Sequence, residues 1–432
     1  MKQPTKLIRL LLLLKVSGMI AMPALAAETP FKQIYSERGI GNNLLEFQGK
    51  LVFTRWAGVS DVLYLYDDKR GAVAMHTTAN GYGIDQIAAG PRSIYFVEVN
   101  RQDAQVPSTL WRCDGQQARQ VATLWPPDNC NVGSYADGKA IAFTVLNNDQ
   151  AVFAGWDSKA ISQGCIWTSD GSESGTHPLE FTKRSSNFLH KMARVGQRVF
   201  FDINRDGLFM TDGLTVKRVM DSERVKSGLC PCQDRLACNI YEGKPGVNEA
   251  ELFAVNQAGL AKPLASEQDK GPFQPQDFIL VGDTVFFMAH EVGETYRLWA
   301  ISAQGGTPRV VKKWATGSTE LVNIVGATDQ HVYFLVRNTG LELWCSDGTE
   351  GGTVKLTKLN KAPAFFAASG DKAFFDLPDA GTYSQQVAVS EGTPVSTRIL
   401  PDGPRNPVNA LVIGSSLYIT DNKEINRYDF AK

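Results

Sequence analysis

The sequence has no excess of positive charge, few histidines and no long apolar run after its N-terminal segment. Its 432 residues carry 44 Lys and Arg against 45 Asp and Glu, a formal net charge of −1, so no basic surface for nucleic acid is expected. After the N-terminal segment no run approaches the roughly 20 apolar residues of a membrane helix, so no membrane span is expected. The five histidines form neither a metal pair at helical spacing nor a nucleophile motif.

The N-terminal segment has the order of residues found in a signal peptide. Three basic residues come first, an apolar stretch follows, and the stretch ends in the small-residue site Ala24-Leu25-Ala26. We predict a signal peptide at residues 1–26, a mature domain at 27–432, and a periplasmic or secreted location. Cleavage would remove four basic residues and no acidic ones, which leaves a formal charge of −5.

The mature chain repeats one pattern at spacings of 38 to 56 residues. Two copies, Trp167 to Thr176 and Trp344 to Thr353, share the pattern Trp-x-Ser-Asp-Gly-Ser/Thr-Glu-x-Gly-Thr. Weaker copies extend the series, and the residues in the position of the tryptophan are Tyr64, Trp111, Trp167, Phe209, Phe253, Trp299, Trp344, Ala388 and Asn426. A period of this length is typical of propeller blades.

A second β-rich run precedes each of these positions, as in Val199-Phe200-Phe201 and Val332-Tyr333-Phe334. These runs are apolar on both faces, which indicates strands covered on two sides by neighbouring blades. Each repeat then yields four short strands, a to d from the axis outward. The sequence therefore predicts an all-β protein, a single closed β-propeller of about nine four-stranded blades.

The two ends of the chain complement each other. The last repeat stops after its third strand, Ile425 to Phe430, and the mature N-terminus offers a spare strand at Phe31 to Ser36. Pairing these terminal strands in one blade would close the ring and hide its edges. Eight blades, with the degraded fifth copy around Arg235-Leu236-Ala237 as an insertion, is the alternative.

The segment Glu342-Leu343-Trp344-Cys345-Ser346-Asp347-Gly348-Thr349 resembles the ELWxxDGT (hyalin-type) repeat family of secreted and cell-surface proteins. Ile166 to Ser172 matches nearly as well. The other copies drift, as in Val387 to Thr393, where Ala388 replaces the aromatic residue. The resemblance implies a β-propeller and an exported protein, and it carries no catalytic residues.

Long connections are predicted on only one face of the ring, the face where b–c loops and d–a connections emerge. The expected long segments are 146–164 and 241–250 between strands b and c, and 125–131, 221–234 and 266–277 between d and a. Function concentrates in such loops on a rigid scaffold. Trp56, Trp125 and Trp156 fall in these loops and are candidates for contacting a ligand; the alternative is that each packs under its own loop.

One segment has the spacing of a calcium-loop start. Asp202, Asn204 and Asp206 place oxygens on alternate residues ahead of Gly207. Met210 and Gly213 stand where later ligands belong, so a tight hairpin is the preferred interpretation and calcium is the alternative. No cofactor is therefore predicted, with calcium at this segment as the alternative.

Three cysteines lie close together in sequence, Cys230, Cys232 and Cys238. We expect a disulfide from Cys238 to Cys230 or Cys232 in an oxidising compartment. Zinc binding by the three thiolates is the alternative, although structural zinc sites normally have four ligands. His290 and Glu291, in a b–c loop, are read either as a general acid–base pair or as solvated loop residues.

These features favour a non-enzymatic binding propeller that contacts a protein or glycan of the cell envelope or exterior through its loop-rich face. An enzyme, a hydrolase or lyase acting on an envelope or extracellular polymer at the channel, is the alternative, and a structural or adhesive repeat protein is a third hypothesis. The propeller fold does not decide among them. Three or more ionisable groups at one channel mouth would favour the enzyme.

Overall fold

The computed structural model describes residues 31–103, 106–124, 143–156, 164–179, 189–203, 207–220, 225–241, 250–264, 273–290, 295–312, 314, 320–378 and 384–430. Every regular element in these ranges is a β-strand, and none is a helix. The strands form nine four-stranded antiparallel sheets, here called blades 1 to 9.

The strands follow in chain order. The first, β1 (Lys32–Ser36), precedes blade 1. Blades 1 to 3 comprise β2 (Ile40–Phe47), β3 (Lys50–Trp56), β4 (Asp61–Asp67), β5 (Gly71–Thr77), β6 (Tyr82–Ala89), β7 (Ile94–Asn100), β8 (Ser108–Cys113), β9 (Ala118–Leu124), β10 (Phe143–Val145), β11 (Ala151–Trp156), β12 (Gly164–Ser169) and β13 (His177–Pro178). Blades 4 to 6 comprise β14 (Leu189–Val195), β15 (Arg198–Ile203), β16 (Gly207–Thr211), β17 (Val216–Met220), β18 (Val225–Cys232), β19 (Arg235–Tyr241), β20 (Ala250–Asn256), β21 (Ala261–Pro263), β22 (Phe273–Val281), β23 (Thr284–His290), β24 (Arg297–Ser302) and β25 (Arg309–Val310). Blades 7 to 9 comprise β26 (Glu320–Ala327), β27 (Val332–Arg337), β28 (Leu341–Ser346), β29 (Val354–Leu359), β30 (Phe366–Ser369), β31 (Lys372–Pro378), β32 (Gln385–Ser390), β33 (Arg398–Ile399), β34 (Asn409–Ile413), β35 (Ser416–Thr420) and β36 (Glu424–Asp429).

The blades form a closed ring around an axis lined by their first strands. Except between blades 3 and 4, where no such contact is described, first strands of neighbouring blades contact each other, and β34 of blade 9 contacts β2 of blade 1. All nine positions predicted from the repeat lie in third strands. The degraded fifth copy forms a complete blade, β18 to β21. The nine-bladed propeller is therefore confirmed, and the eight-bladed alternative is wrong.

The N-terminal strand completes the last blade. In blade 9 the strand order is β1-β36-β35-β34, and β1 pairs antiparallel with β36, with Lys32 opposite Arg427 and Ser36 opposite Glu424. The predicted closure by the two ends of the chain is confirmed.

The hydrophobic core is divided into nine clusters, one at each seam between neighbouring blades. Second strands supply its fully buried aromatic side chains, among them Phe96, Phe201 and Phe334 at 0% exposure. Adjacent residues of a strand point to opposite faces, so a strand that lies between two seams must be apolar at successive positions. This explains the runs without alternation.

Three segments expected to be long loops contain strands: 146–164 contains β11, 221–234 contains β18, and 266–277 contains the start of β22. In blade 3 the first strand is β10 and the second is β11, so 146–150 is a short a–b turn and only 157–163 joins β11 to β12. Residues 225–232 form β18 rather than part of a loop. The β-rich run before Trp167 ends at Phe143, which lies in the first strand β10 rather than in the second strand, so β11 escaped prediction. The strand β18 escaped prediction because it pairs irregularly between Val225 and Leu229.

The repeat motif builds the turn from the third to the fourth strand. In blade 7 the Asp347 carboxylate accepts a hydrogen bond from the backbone N–H of Thr349 at 2.8 Å, and Ser346 Oγ accepts one from the N–H of Gly348 at 3.0 Å. Gly348 has φ +93°, and a Cβ on Gly352 would clash with the carboxylate of Asp347. The serine, the aspartate and the two glycines of the repeat motif therefore each have a local structural role in this turn.

Blade 8 keeps this turn without the aspartate and the second glycine. Glu391 and Ser396 stand in their places. The Ser396 hydroxyl accepts hydrogen bonds from the N–H of Thr393 at 3.2 Å and of Glu391 at 3.1 Å. Serine thus supplies the acceptor that aspartate supplies in blade 7, which is why the sequence of this copy drifts while its turn persists.

In blades 2 to 8 this turn also receives a residue of the preceding blade. In each of these blades a turn glycine has positive φ and the space that its Cβ would occupy is bounded by that residue, whereas nothing lies within 4 Å of the Cβ position of Gly71 in blade 1. The pairs are Gly115 with Phe47, Gly171 with Arg112, Gly213 with Gln150, Gly259 with Met210, Gly305 with Leu264, Gly348 with Phe286, and Gly392 with His331. The motif glycine therefore allows the positive φ of the turn and also leaves room for a residue at the seam between blades.

At the closing seam an ion pair replaces this contact. Arg427 of β36 binds both carboxylate oxygens of Asp68, in the blade 1 turn, at 2.6 and 2.7 Å. It also donates to Asp429 at 2.6 Å and lies over the ring of Tyr418 at 5.8 Å. The hydrogen bonds from Arg427 lower the pKa of Asp68.

Replacing the interlocking glycine of blade 3 tests the role of the turn in the seam. Gly171 has φ +87°, and its Cβ would lie 2.6 Å from Cδ of Arg112 and 2.8 Å from the Tyr95 hydroxyl. We expect Gly171→Ala to destabilise the protein by about 1–3 kcal/mol, measured by urea titration. Gly71→Ala, in the same turn of blade 1 with φ +71° and nothing within 4 Å of the Cβ position, is the matched control and should be destabilised less, because it has the backbone strain without the contact. Equal effects would contradict the interlock.

The closing ion pair predicts a pH-dependent stability difference. Because the folded-state pKa of Asp68 is lowered, its contribution is present above the unfolded value of about 3.9 and is lost as pH falls through the folded value. Asp68 is 62% exposed, so screening limits the effect, and we expect Arg427→Gln to cost about 1 kcal/mol at pH 7. The difference should shrink below about pH 4. Arg337→Gln, which removes a 3.9 Å pair with Glu320 inside blade 7, is the control.

Candidate functional site

The loop face of the ring is the side where second strands connect to third strands and one blade connects to the next. The turn face is the opposite side and carries the repeat motif. Blades 1, 2, 7, 8 and 9 contribute most of the described loop face, because the corresponding connections of blades 3 to 6 fall largely outside the described residues. The loop face of blades 1 and 2 holds an exposed aromatic residue in a defined setting.

This patch consists of Trp56, Val59 and Arg101 and is called the Trp56 patch. Trp56 ends β3 and is 38% exposed, and Val59, in the turn that follows, is 55% exposed. The Arg101 guanidinium lies 4.9 Å from the centre of the Trp56 ring, within range of a cation–π interaction. The structure therefore places Trp56 on the predicted face with part of its surface open to solvent.

A buried carboxylate fixes Arg101 in this position. Asp61, whose side chain is 5% exposed, accepts hydrogen bonds from Nη1 of Arg101 at 3.3 Å and Nη2 at 2.8 Å. It also accepts one from the N–H of Ile84 at 2.8 Å. A Cβ on Gly83 would clash with the guanidinium, so a larger residue there would displace Arg101 from this position. Arg101 is thus held on both sides while 43% of its side chain remains exposed.

Backbone hydrogen bonds join the three connections that carry the patch. The N–H of Gly81 donates to the carbonyl of Val59 at 2.7 Å, and the N–H of Arg101 donates to the carbonyl of Gly81 at 2.8 Å. The N–H of Trp56 donates to the carbonyl of Gly39 at 2.7 Å. The patch is therefore built on paired backbone, and its geometry is set before any ligand arrives.

The charges around the patch are paired. Arg101 is matched by Asp61, and Nη1 of Arg55 lies 2.6 Å from the Glu37 carboxylate. Nε of Arg55 donates to the carbonyl of Arg38 at 3.1 Å. These two ion pairs neutralise two of the arginines near Trp56, so the patch is more suited to aromatic and hydrogen-bonding contacts than to capturing a polyanion.

A second group of polar residues lies between blades 6 and 7. His290, at the end of β23, packs edge-to-face on Tyr296 with ring centres 5.2 Å apart. Burial raises the pKa of Tyr296, and the carboxylates of Asp277 and Glu320 raise it further. Glu320 also lies 3.9 Å from Arg337. The Tyr296 phenol is therefore held neutral beside two carboxylates.

Sequence reasoning found His290 in this group and missed Asp277 and Tyr296. Asp277 lies in the first strand of blade 6, where the pairing is irregular, and it has φ +53°. Similar irregularities occur in the first strands of blades 1, 2, 4, 5 and 7. In blade 2 one exposes Asp85 on a strand that lines the axis, and enclosure by the ring raises its pKa. No sequence pattern marks such bulges, which redirect side chains.

The remaining predicted aromatic and acid–base candidates are not brought together. Trp156 is the last residue of β11, opposite Gly164, and its side chain lies outside the described part. Trp125 and Glu291 also lie outside the described residues. Trp56 and His290 belong to blades 1 and 6, so they do not form one site.

The suggested calcium loop is described only at its first ligand. Asp202 lies in β15 at 0% exposure, opposite Leu208, and Asn204 and Asp206 are outside the described residues. Within the described ranges, no three His, Cys, Asp or Glu side chains gather as a metal site. Calcium binding by this segment stays a prediction.

The three clustered cysteines lie in strands of blade 5 rather than in a loop. Cys230 and Cys232 are in β18 and face the seam with blade 6, whereas Cys238 is in β19 and faces the seam with blade 4. All three are free thiols. The expected pairing of Cys238 with either of the others is absent from this structure, because alternation along the strands places it on the other face of the sheet.

Within the residues that the structure describes, no helix is long and apolar enough to span a membrane. No protein-family model matches the chain, and no curated protein matches it in sequence. Solved structures match its fold. A prolyl endopeptidase is 12% identical over 83% of this chain and 55% of its own, with a TM-score of 0.45, so the chain spans about half of that enzyme's length.

Two other solved structures are similar. BamB from Moraxella catarrhalis is 11% identical over 93% of this chain and 100% of its own, with a TM-score of 0.43. An oligogalacturonate lyase is 12% identical over 67% of this chain and 88% of its own, with a TM-score of 0.40. At these identities the likeness is one of fold alone: the chain is an all-β protein with the arrangement of a nine-bladed β-propeller.

Proposed function

We propose that the protein is an exported, non-enzymatic binding propeller that contacts a protein or glycan of the cell envelope or exterior through its loop face. The observation that carries the proposal is the Trp56 patch, an exposed tryptophan beside an arginine that a buried aspartate holds in place. Export is proposed from the order of residues 1–26 and from the resemblance to ELWxxDGT repeats, whose turn chemistry is present in blades 3, 7 and 8.

The composition of the patch is that of an interaction hot spot. Tryptophan and arginine are enriched among the residues that contribute most to binding at protein interfaces. Ordering a flexible side chain on binding costs about 0.5–1.5 kcal/mol. The hydrogen bonds from Arg101 to Asp61 already order this side chain in the free protein, which reduces that cost. A protein partner is therefore the first expectation. A glycan, whose sugar rings stack on indole, is the second.

The group around Tyr296 favours a second candidate function, an enzyme acting on an envelope or extracellular polymer. The Tyr296 phenol, whose pKa is raised by burial and by the charges of Asp277 and Glu320, can donate a hydrogen bond to an oxygen of a substrate. The group includes more than three ionisable residues near first strands of the ring. It has no activated nucleophile among the described residues, which ranks it below binding.

A pulldown from cell-envelope extract with the mature chain, together with a glycan array, tests the binding function. We expect a specific partner whose affinity falls about tenfold or more in Trp56→Ala, because truncating a central aromatic residue typically costs more than 1 kcal/mol. Asp61→Asn should weaken binding less, because it loosens Arg101 without removing it. Leu214→Ala, which truncates a 72% exposed residue of the turn face, is the control and should bind like the wild type.

Two outcomes would overturn this assignment. A partner bound equally well by wild type and Trp56→Ala would move the interaction away from the patch. Turnover of an envelope polymer that Tyr296→Phe abolishes and Trp56→Ala leaves intact would establish the enzyme instead.

A further inference from the structure

Two buried thiols touch each other in the first strand of blade 5. Cys230 and Cys232 are 5% and 1% exposed, and their Sγ atoms are 3.7 Å apart. Alternate residues of a strand share a face, so both sulfurs point into the seam with blade 6. At this separation the two sulfur atoms are in van der Waals contact, with no other group between them.

The surroundings of the pair suit a neutral, compact group. The seam around the two sulfurs is built from apolar side chains, including Ala237, Phe287 and Trp299. A third metal ligand is absent among the described residues, and structural zinc takes four. Cys238 lies on the opposite face of the sheet. The reaction that remains for these two thiols is with each other.

The backbone between the two cysteines allows them to approach. A disulfide needs Cα atoms about 4.4–6.8 Å apart, near the upper limit for alternate residues of a fully extended strand. Pro231 separates the two cysteines, and its ring holds φ near −65°, which shortens that span. It pairs with Leu236 but has no N–H to lose from the ladder. Upstream, β18 is already irregular between Val225 and Leu229, so the strand can adjust.

We propose that Cys230 and Cys232 form a disulfide with each other inside β18, by exchange with an external disulfide. The thiolate of one cysteine attacks a sulfur of the external disulfide and releases one thiol. The second cysteine loses its proton and attacks the mixed disulfide, which releases the other thiol. The two cysteines lose two protons and two electrons in total, and the external disulfide gains both.

One of the two cysteines acts as the attacking thiolate, and the other resolves the mixed disulfide. Because both sulfurs are buried in the finished seam, the exchange takes place while blade 5 folds, before blade 6 covers it.

The inference goes beyond the proposed binding function. Only the supply of an oxidant in the cell depends on the proposed export, and the chemistry of the pair does not. A test with purified protein therefore separates the two, since it fixes the redox environment directly.

The experiment refolds reduced mature chain from urea in buffers of graded oxidised to reduced glutathione, then blocks thiols with a maleimide and maps the peptides. We expect the thiol count to fall by two from the seven of the chain, with a peptide linked between Cys230 and Cys232. Cys238→Ala should retain this linkage, and Cys230→Ser should abolish it. Circular dichroism and partner binding report whether each variant has folded.

Several results would overturn the proposal. A linkage of Cys238 to either cysteine, or a folded chain that keeps both thiols in fully oxidised glutathione, would do so. If Cys230→Ser fails to fold, wild-type protein isolated from producing cells after acid quenching decides the matter: free thiols at both positions in protein from an oxidising compartment contradict the inference, and the linked peptide supports it.

Discussion

The burial of both faces of every second strand between neighbouring blades is the constraint on which the rest of this structure depends. No blade has a core of its own, because the nine apolar clusters lie at the seams. A ring with an open seam would expose two apolar sheet faces at once. Closure by β1 and the ion pair of Arg427 with Asp68 is therefore as much a part of the core as the buried phenylalanines. In blades 2 to 8 the turn glycines carry the same constraint to the turn face, where each leaves room for a residue of the blade before it.

Much of this architecture was readable in the sequence because it repeats. The nine repeat positions from Tyr64 to Asn426 and the spare strand at Phe31 to Ser36 follow from the seam requirement and occur where expected. The exceptions are irregular. In blade 3 the run that ends at Phe143 was taken for the second strand but lies in the first, so β11 was taken for a loop, and the bulged β18 was also taken for a loop. The order of the blades around the ring, by contrast, follows from the number of repeats alone.

The candidate site was less predictable, because it is assembled across blades. Trp56 was identifiable as an aromatic residue in a loop. No sequence pattern links it to Arg101, which comes from another blade, or to Asp61, which lies on the far side of the turn after Trp56. The same holds for Tyr296 and its carboxylates. Disulfide prediction from spacing failed for the opposite reason: Cys238 is close in sequence to its expected partners, but strand alternation turns it away from them. Proximity in sequence and proximity in space are decoupled where strands pack face to face.

The pairing of β1 with β36 has a consequence for how the chain is made. The strand that leaves the ribosome first among the structured segments must wait for nearly the whole chain before its partner exists. Throughout that time the growing protein has an unpaired strand at one end and an uncovered sheet face at the other, both of the kind that promote misassembly. The ring therefore cannot close until the last few residues have been made. A chain truncated before β36 cannot close its ring, however well its first eight blades have formed.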